Sequence, residues 1–137
     1  MIVLDTHVLV WVMEDDAKLG FETRQTIVEA SKNNEVGVSA ITPWEIALLV
    51  EKGRLRLARE VAEWLDAALA VPGVRLLPIE PRIALDSVRL PGAFHADPAD
   101  RLIVATARRW SATLITADGA IIDYAKAGHV EIVEAVR

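Results

Sequence analysis

Asp5 closes the apolar run Ile2-Val3-Leu4, and Asp118 stands just beyond a second apolar run, Ala112 to Ile115. Glu45 falls in the first turn of a helix that opens at Thr42-Pro43, and Asp97 and Asp100 open another, in the stretch H-A-D-P-A-D-R-L-I-V-A-T-A from His95 to Ala107. Carboxylates at strand ends and in helical first turns form a pattern that capping alone does not require. Two carboxylates 4 Å apart repel by ~4 kcal/mol at an effective dielectric of 20. Acids converging on one rim therefore need protonation, separation or a cation. With no cysteine and 3 histidines in the chain, an oxygen-dominated donor set selects a hard ion, Mg²⁺ or Mn²⁺. Such ions hold phosphates in line for attack by water, so the pattern points to phosphoryl chemistry.

Each acid also has a plain structural reading. Asp97 before Pro98 is an N-cap followed by a proline at the first helical position, where its missing N–H costs nothing. Asp100 sits three residues after that cap, near the positive end of the helix dipole. Glu45 occupies the capping-box position of a helix whose N-cap is Thr42. Asp5 would cap the helix at Val8, and Asp118 would cap or turn the chain before Ile121-Ile122. An unpaired carboxylate between a buried strand and an apolar helix is poorly solvated, which makes Asp5 the hardest to explain as a cap alone. His7 and His95 flank the same rim, and His95 there is an acid, a phosphate contact or a loop cap. Arg54, Arg56 and Arg59 form the densest basic patch, either a phosphate-contacting edge or a solvated face. Trp11, Trp44, Trp64 and Trp110 all fall in helical segments, where core packing or a subunit interface explains them better than base stacking.

The elements that must position these side chains follow from periodicity. Short apolar runs that do not alternate, Ile2–Leu4, Val36–Val38, Val74–Ile79, Ala112–Ile115 and Val130–Val133, read as buried strands. Between them lie helices over Val8–Met13, Phe21–Asn33 (Ile27, Val28 and Ala30 inward), Ala40–Val50, Ala58–Ala70, Pro81–Val88 and the segment from Pro98, with a short one ending at Ala127. This alternation predicts a parallel sheet covered on both faces. Ligands bind beyond the carboxyl ends of such strands, where Asp5 and Asp118 fall, with Glu45 and Asp100 entering from the helices that follow. The strand order is not legible in this pattern.

At 137 residues, 53% of them hydrophobic, with a mean hydropathy of +0.29, the chain is expected to be one domain, residues 1–137, with a dense core. A net charge of −5 argues against a basic nucleic-acid sponge but not against an enzyme whose carboxylates hold cations. No apolar run approaches the ~18 residues of a membrane span. The opening M-I-V-L-D lacks the basic region and cleavage site of a signal peptide. A cytoplasmic location and no membrane contact are expected.

The ordered set I-V-L-D-T-H, T-P-W-E-I-A with its following G-R-L-R-L, H-A-D-P-A-D-R-L-I-V-A-T-A and L-I-T-A-D resembles the PIN-domain ribonucleases, and within them the VapC-like toxins of prokaryotic toxin–antitoxin pairs. It runs from residue 2 to residue 118. The resemblance implies a three-layer α/β/α fold around a five-stranded parallel sheet. Carried over by position, Asp5, Glu45, Asp100 and Asp118 match the family's acidic quartet. Thr6 and Thr116 match its small hydroxyl positions, and Asp97 is an accessory acid of the subgroup with H-x-D-P-x-D-R. His7 stands where many relatives have Asn or Ser.

These residues lead to a metal-dependent endoribonuclease. Asp5, Asp100 and Asp118 are expected to hold one or two Mg²⁺ or Mn²⁺ ions, with Glu45 ligating directly or through water, and the resemblance implies that cleavage leaves a 5′-phosphate. The expected partners are an RNA substrate and a cognate antitoxin whose Arg or Lys enters the acidic rim, docking along Trp11, Trp44 and Leu48. The stripe Val61, Trp64, Leu65, Ala68 and Leu69 suggests a homodimer. The alternatives are a catalytically silent PIN module that binds RNA or protein, and a housekeeping PIN nuclease without antitoxin. An aspartyl-phosphate phosphatase would need an acid where His7 stands. A receiver domain would need adjacent acids after the first strand and a lysine late in the sheet, and neither appears.

Overall fold

A computed structural model describes residues 1–95 and 97–137; Ala96, inside the H-A-D-P-A-D-R run, lies outside the described residues. Its centre is β1 (Ile2–Leu4), flanked by β4 (Thr113–Thr116) on one side and β2 (Val36–Ser39) on the other. With β3 (Val74–Leu77) outside β2 and β5 (Ile132–Glu134) outside β4, the five-stranded sheet has the order β3-β2-β1-β4-β5, parallel throughout. Ile2 pairs with Val36 and Thr113, and Leu4 with Val38 and Ile115.

Two apolar clusters cover the two faces. Leu4 and Ile115 point to one, with Val8 and Leu9 of α1 (Thr6–Met13), Ile27 of α2 (Phe21–Ser31), Ile46 of α3 (Ile41–Glu51) and Trp64 and Ala68 of α4 (Val61–Leu69). Val3 and Leu114 point to the other, with Ile83 of α5 (Pro81–Val88), Ile103, Val104 and Ala107 of α6 (Pro98–Arg109) and Ile121 and Tyr124 of α7 (Gly119–Ala125). The chain leaves β1 outward through β2 to β3, then crosses back to β4 and moves outward again to β5. The direction of winding reverses between β1 and β4. That reversal opens a crevice at their carboxyl ends, where ligands of open α/β sheets bind. This is the three-layer α/β/α architecture expected of the pattern.

Several boundaries move for identifiable reasons. The third strand stops at Leu77 because Pro78 has no N–H to extend the ladder. The fourth begins at Thr113 because the Ala112 N–H turns back to the Ala107 carbonyl at 2.9 Å. The fifth starts at Ile132, after the turn at Gly128 (φ +86°). Helix α4 begins at Val61 rather than Ala58: Glu60 is its N-cap, accepting from the Ala62 and Glu63 N–H groups at 2.9 and 3.2 Å. Trp110 lies just past α6, at its C-cap. In α2, Val28 faces outward, 47% exposed, while Ile27 is buried.

Two expectations are corrected. Thr42 does not cap α3; the N-cap is Ala40, the helix begins at Ile41, and the Ile41 N–H is satisfied by Ser39 Oγ at 3.2 Å. Thr42 is buried inside the first turn instead. The α4 stripe is also not a free face, since Trp64 and Ala68 are buried and Val61, Leu65 and Leu69 pack on the same core. Its apolar area is spent within the domain.

Candidate active site

The crevice between β1 and β4 is built from backbone ends. Asp5 follows β1 directly, its N–H donating to the Ile115 carbonyl at 3.0 Å, and its side chain is sealed in at 5% exposure. As expected, it caps α1, but through the Thr6 N–H, donated to Oδ1 at 2.8 Å. Its other oxygen, Oδ2, accepts from the Thr116 hydroxyl at 2.7 Å. That hydroxyl in turn accepts the Asp118 N–H at 3.0 Å, so one threonine ties the two strand-end acids together.

Asp118 stands at the N-cap of α7 yet makes no side-chain capping bond. Its Oδ2 is buried without a hydrogen-bond partner among the described residues. A stranded carboxylate oxygen of this kind is costly unless something else meets it. The capping explanation for Asp118 fails.

Asp97 does cap α6, accepting from the Asp100 N–H at 3.0 Å, with Pro98 at the first helical position. This aims the helix N-terminus, and Asp100 in its first turn, into the crevice. Burial first, then the charges of Asp5, Asp97, Asp118 and Glu45, push the Asp100 carboxyl up to about 8. Burial also raises Asp5, opposed by its bonds from Thr116 and Thr6. Burial raises Glu45 as well, with the Thr6 hydroxyl opposing it. The Thr6 and Thr42 hydroxyls lie 3.1 Å apart, joining the start of α1 to the first turn of α3, the helix that carries Glu45. Three buried acids raised together in one crevice, each also repelled by acidic neighbours, mark a candidate functional site.

The cleft measures about 400 Å³ and is lined by Asp5, Glu45, Asp97, Asp100 and Asp118, with His7, Trp11 and Leu49 at its walls. Two groupings within it could hold a cation: Glu45, Asp97 and Asp100, and His95, Asp100 and Asp118. In each, one donor atom per residue lies within 4.8 Å of the others. The buried, partnerless oxygen of Asp118 and the mutual repulsion recorded at Asp100 both fit a positive ion at this place.

Arg54, Arg56 and Arg59 are exposed on the segment after α3 and are not part of the cleft wall. Trp11 lines the cleft, whereas Trp44 is 55% exposed outside it, and Leu49 takes the place expected of Leu48. Sequence reasoning missed Arg101, whose guanidinium donates to the Ser87 carbonyl at 2.8 Å and to those of Phe94 and His95 at 3.2 Å. Its place in the D-R pair beside Asp100 was the available signal. Nothing in the sequence announced the contact of His95 Nε2 with Asp100 Oδ2 at 3.1 Å.

A parallel sheet with a carboxylate cluster at its winding reversal defines an α/β domain equipped to hold a cation at an acidic centre. The PIN domain family matches residues 2–127. Ribonuclease VapC22 of Mycobacterium tuberculosis is 38% identical over 117 residues, covering 85% of this chain and 86% of that protein. The chain belongs to the PIN-domain family. Among solved structures, VapBC2 of Rickettsia felis, bound to a DNA fragment from its promoter, superposes with a TM-score of 0.70 at 20% identity, covering 97% of this chain and 98% of that one. VapBC-5 of Mycobacterium tuberculosis, a member of the VapBC family of toxin–antitoxin systems, gives 0.63 at 22% identity, with 96% of each chain covered. At these identities the two structures speak for the shared fold.

Proposed function

We propose that this chain is a metal-dependent endoribonuclease, the toxin of a toxin–antitoxin pair. The observation that carries the chemistry is the buried Asp118 Oδ2, without a hydrogen-bond partner among the described residues and beside a carboxylate, Asp100, that burial first and then its neighbours' charges push up to about 8. The ribonuclease name of the 38%-identical Mycobacterium tuberculosis relative supports RNA as substrate.

Asp5, Asp100 and Asp118 would hold one or two Mg²⁺ or Mn²⁺ ions, with Glu45 ligating directly or through water. Bound there, the ion supplies a Lewis acid for the phosphodiester and a polarised water as nucleophile. The chain's own groups do the rest. The Thr116 hydroxyl fixes both strand-end acids, donating to the Asp5 carboxylate and accepting the Asp118 N–H. Glu45 faces the cleft as the acceptor that orients the attacking water. Water adds to phosphorus as the bond to the 3′-oxygen breaks, leaving a 5′-phosphate and a 3′-hydroxyl.

A cognate antitoxin would restrain the enzyme by placing an Arg or Lys among the same carboxylates, in competition with the ion. The toxin–antitoxin assemblies sharing the fold support that partner. Among the described residues no helix is long and apolar enough to cross a membrane, in keeping with a cytoplasmic site of action. A two-fold homodimer belongs to the same reading, with exposed Trp44 as the remaining large apolar contact on α3; a monomer by light scattering at tens of micromolar would remove it. The function itself is tested by incubating a mixed-sequence RNA with protein and Mg²⁺ or Mn²⁺. Wild type should cut it to fragments with 5′-phosphates, and folded Asp5→Asn should not. Equal cutting by both would sink the assignment.

A further inference from the structure

The acid cluster includes a nitrogen donor whose orientation is fixed from three sides. His95 Nε2 lies 3.1 Å from Asp100 Oδ2, and His95, Asp100 and Asp118 each place a donor atom within 4.8 Å of the other two. The loop that carries His95 is strapped to α6 by Arg101. Its Nη1 donates to the carbonyls of Phe94 and His95 at 3.2 Å, and its Nε and Nη2 donate to Ser87 and Val88 at 2.8 and 3.4 Å. The Phe94 ring meets the imidazole edge-on with centroids 4.5 Å apart, and itself stacks on Tyr124 at 4.5 Å. A surface histidine that merely paired with an acid would not need its backbone carbonyl clamped and its ring braced. Fixing a ligand's orientation in advance is what metal centres require of their surroundings.

We propose that His95 is a ligand of the cation held in this cleft, completing the Asp100–Asp118 pair with a nitrogen. The inference rests on the reading of the cleft as a cation site and adds a donor that changes its selectivity. Mg²⁺ favours oxygen donors and tight octahedral geometry. An imidazole tilts the set toward divalent transition ions. Arg101 then serves as a positioning residue, acting on the ion only through the loop it holds.

Mn²⁺ is a suitable probe because its unpaired electrons report bound nitrogen. The experiment loads wild type, His95→Gln and His7→Gln with one equivalent of Mn²⁺, records electron spin-echo envelope modulation, and measures Mn²⁺ and Mg²⁺ affinities by titration. Wild type and His7→Gln, whose histidine lines the same cleft, should show ¹⁴N modulation that His95→Gln lacks. His95→Gln should also lose roughly tenfold in Mn²⁺ affinity, with a smaller change for Mg²⁺. Wild type that binds Mn²⁺ without ¹⁴N modulation, or modulation that persists in His95→Gln, overturns the ligand assignment and leaves the cation site standing. Wild type that binds no Mn²⁺ overturns both.

Discussion

Thr116 donates its hydroxyl to Asp5 Oδ2 at 2.7 Å, and both residues are sealed from solvent. The bond favours the charged carboxylate, against the burial that favours the neutral acid. Thr116→Val keeps the shape and deletes the donor. It should destabilise the fold by about 1–3 kcal/mol, the usual consequence of stranding a buried polar group. It should also raise the Asp5 pKa further, so that half-maximal Mn²⁺ binding at fixed ion concentration moves to higher pH. Thermal melts and a pH series of titrations measure the two effects; an unmoved pH midpoint would count against the role given to this bond.

Asp100, with Asp5 and Glu45 raised in the same direction, contributes to the pH dependence of the ion-free protein. Its carboxyl holds a proton up to about pH 8 in the folded chain, against about pH 4 when unfolded. Between those values the folded state binds more protons, so unfolding free energy falls as pH rises. In the presence of a chelator, the melting temperature should drop from pH 5 to pH 8.5. Asp100→Asn should flatten that slope, and saturating Mn²⁺ should reverse it by binding only the deprotonated folded form. A wild-type slope unchanged by Asp100→Asn would be the contrary result.

Asp97 does two separable things. Its side chain caps α6 through the Asp100 N–H, and its charge contributes to the rise at Asp100. Asp97→Ala should lose about 1 kcal/mol of stability, as N-cap deletions do. Asp97→Asn keeps the cap, since asparagine is an equivalent N-cap, while removing the charge. Melts that rank the two variants alike would show that the cap is energetically idle.

How far the sequence could be read depended on whether a feature was local. The D-P step at Asp97-Pro98 gave the cap and the start of α6 because both signals act within four residues. The similar T-P step at Thr42-Pro43 misled, because Ser39, across the β2–α3 junction, supplies the acceptor instead. The strand-end acids were legible, since a carboxylate after a buried run has few explanations. Their meeting on one rim was legible too, but that the crevice lies between neighbouring β1 and β4 was not, because strand order is not encoded in periodicity. The α4 stripe was visible as apolar but silent about its destination, which is the core cluster on one face of the sheet. The His95–Asp100 contact arises from a loop strapped by Arg101, a tertiary arrangement with no sequence period.

The central claim is that Asp5, Glu45, Asp100 and Asp118 form one cation site. Calorimetric titration of Mn²⁺ into chelator-treated protein at neutral pH tests it most directly, without requiring the correct RNA. The expected result is saturable binding of one or two ions per chain in wild type, greatly weakened in folded Asp118→Asn, whose amide cannot supply the buried carboxylate charge. No specific heat of binding in wild type, or undiminished binding in Asp118→Asn, would contradict it.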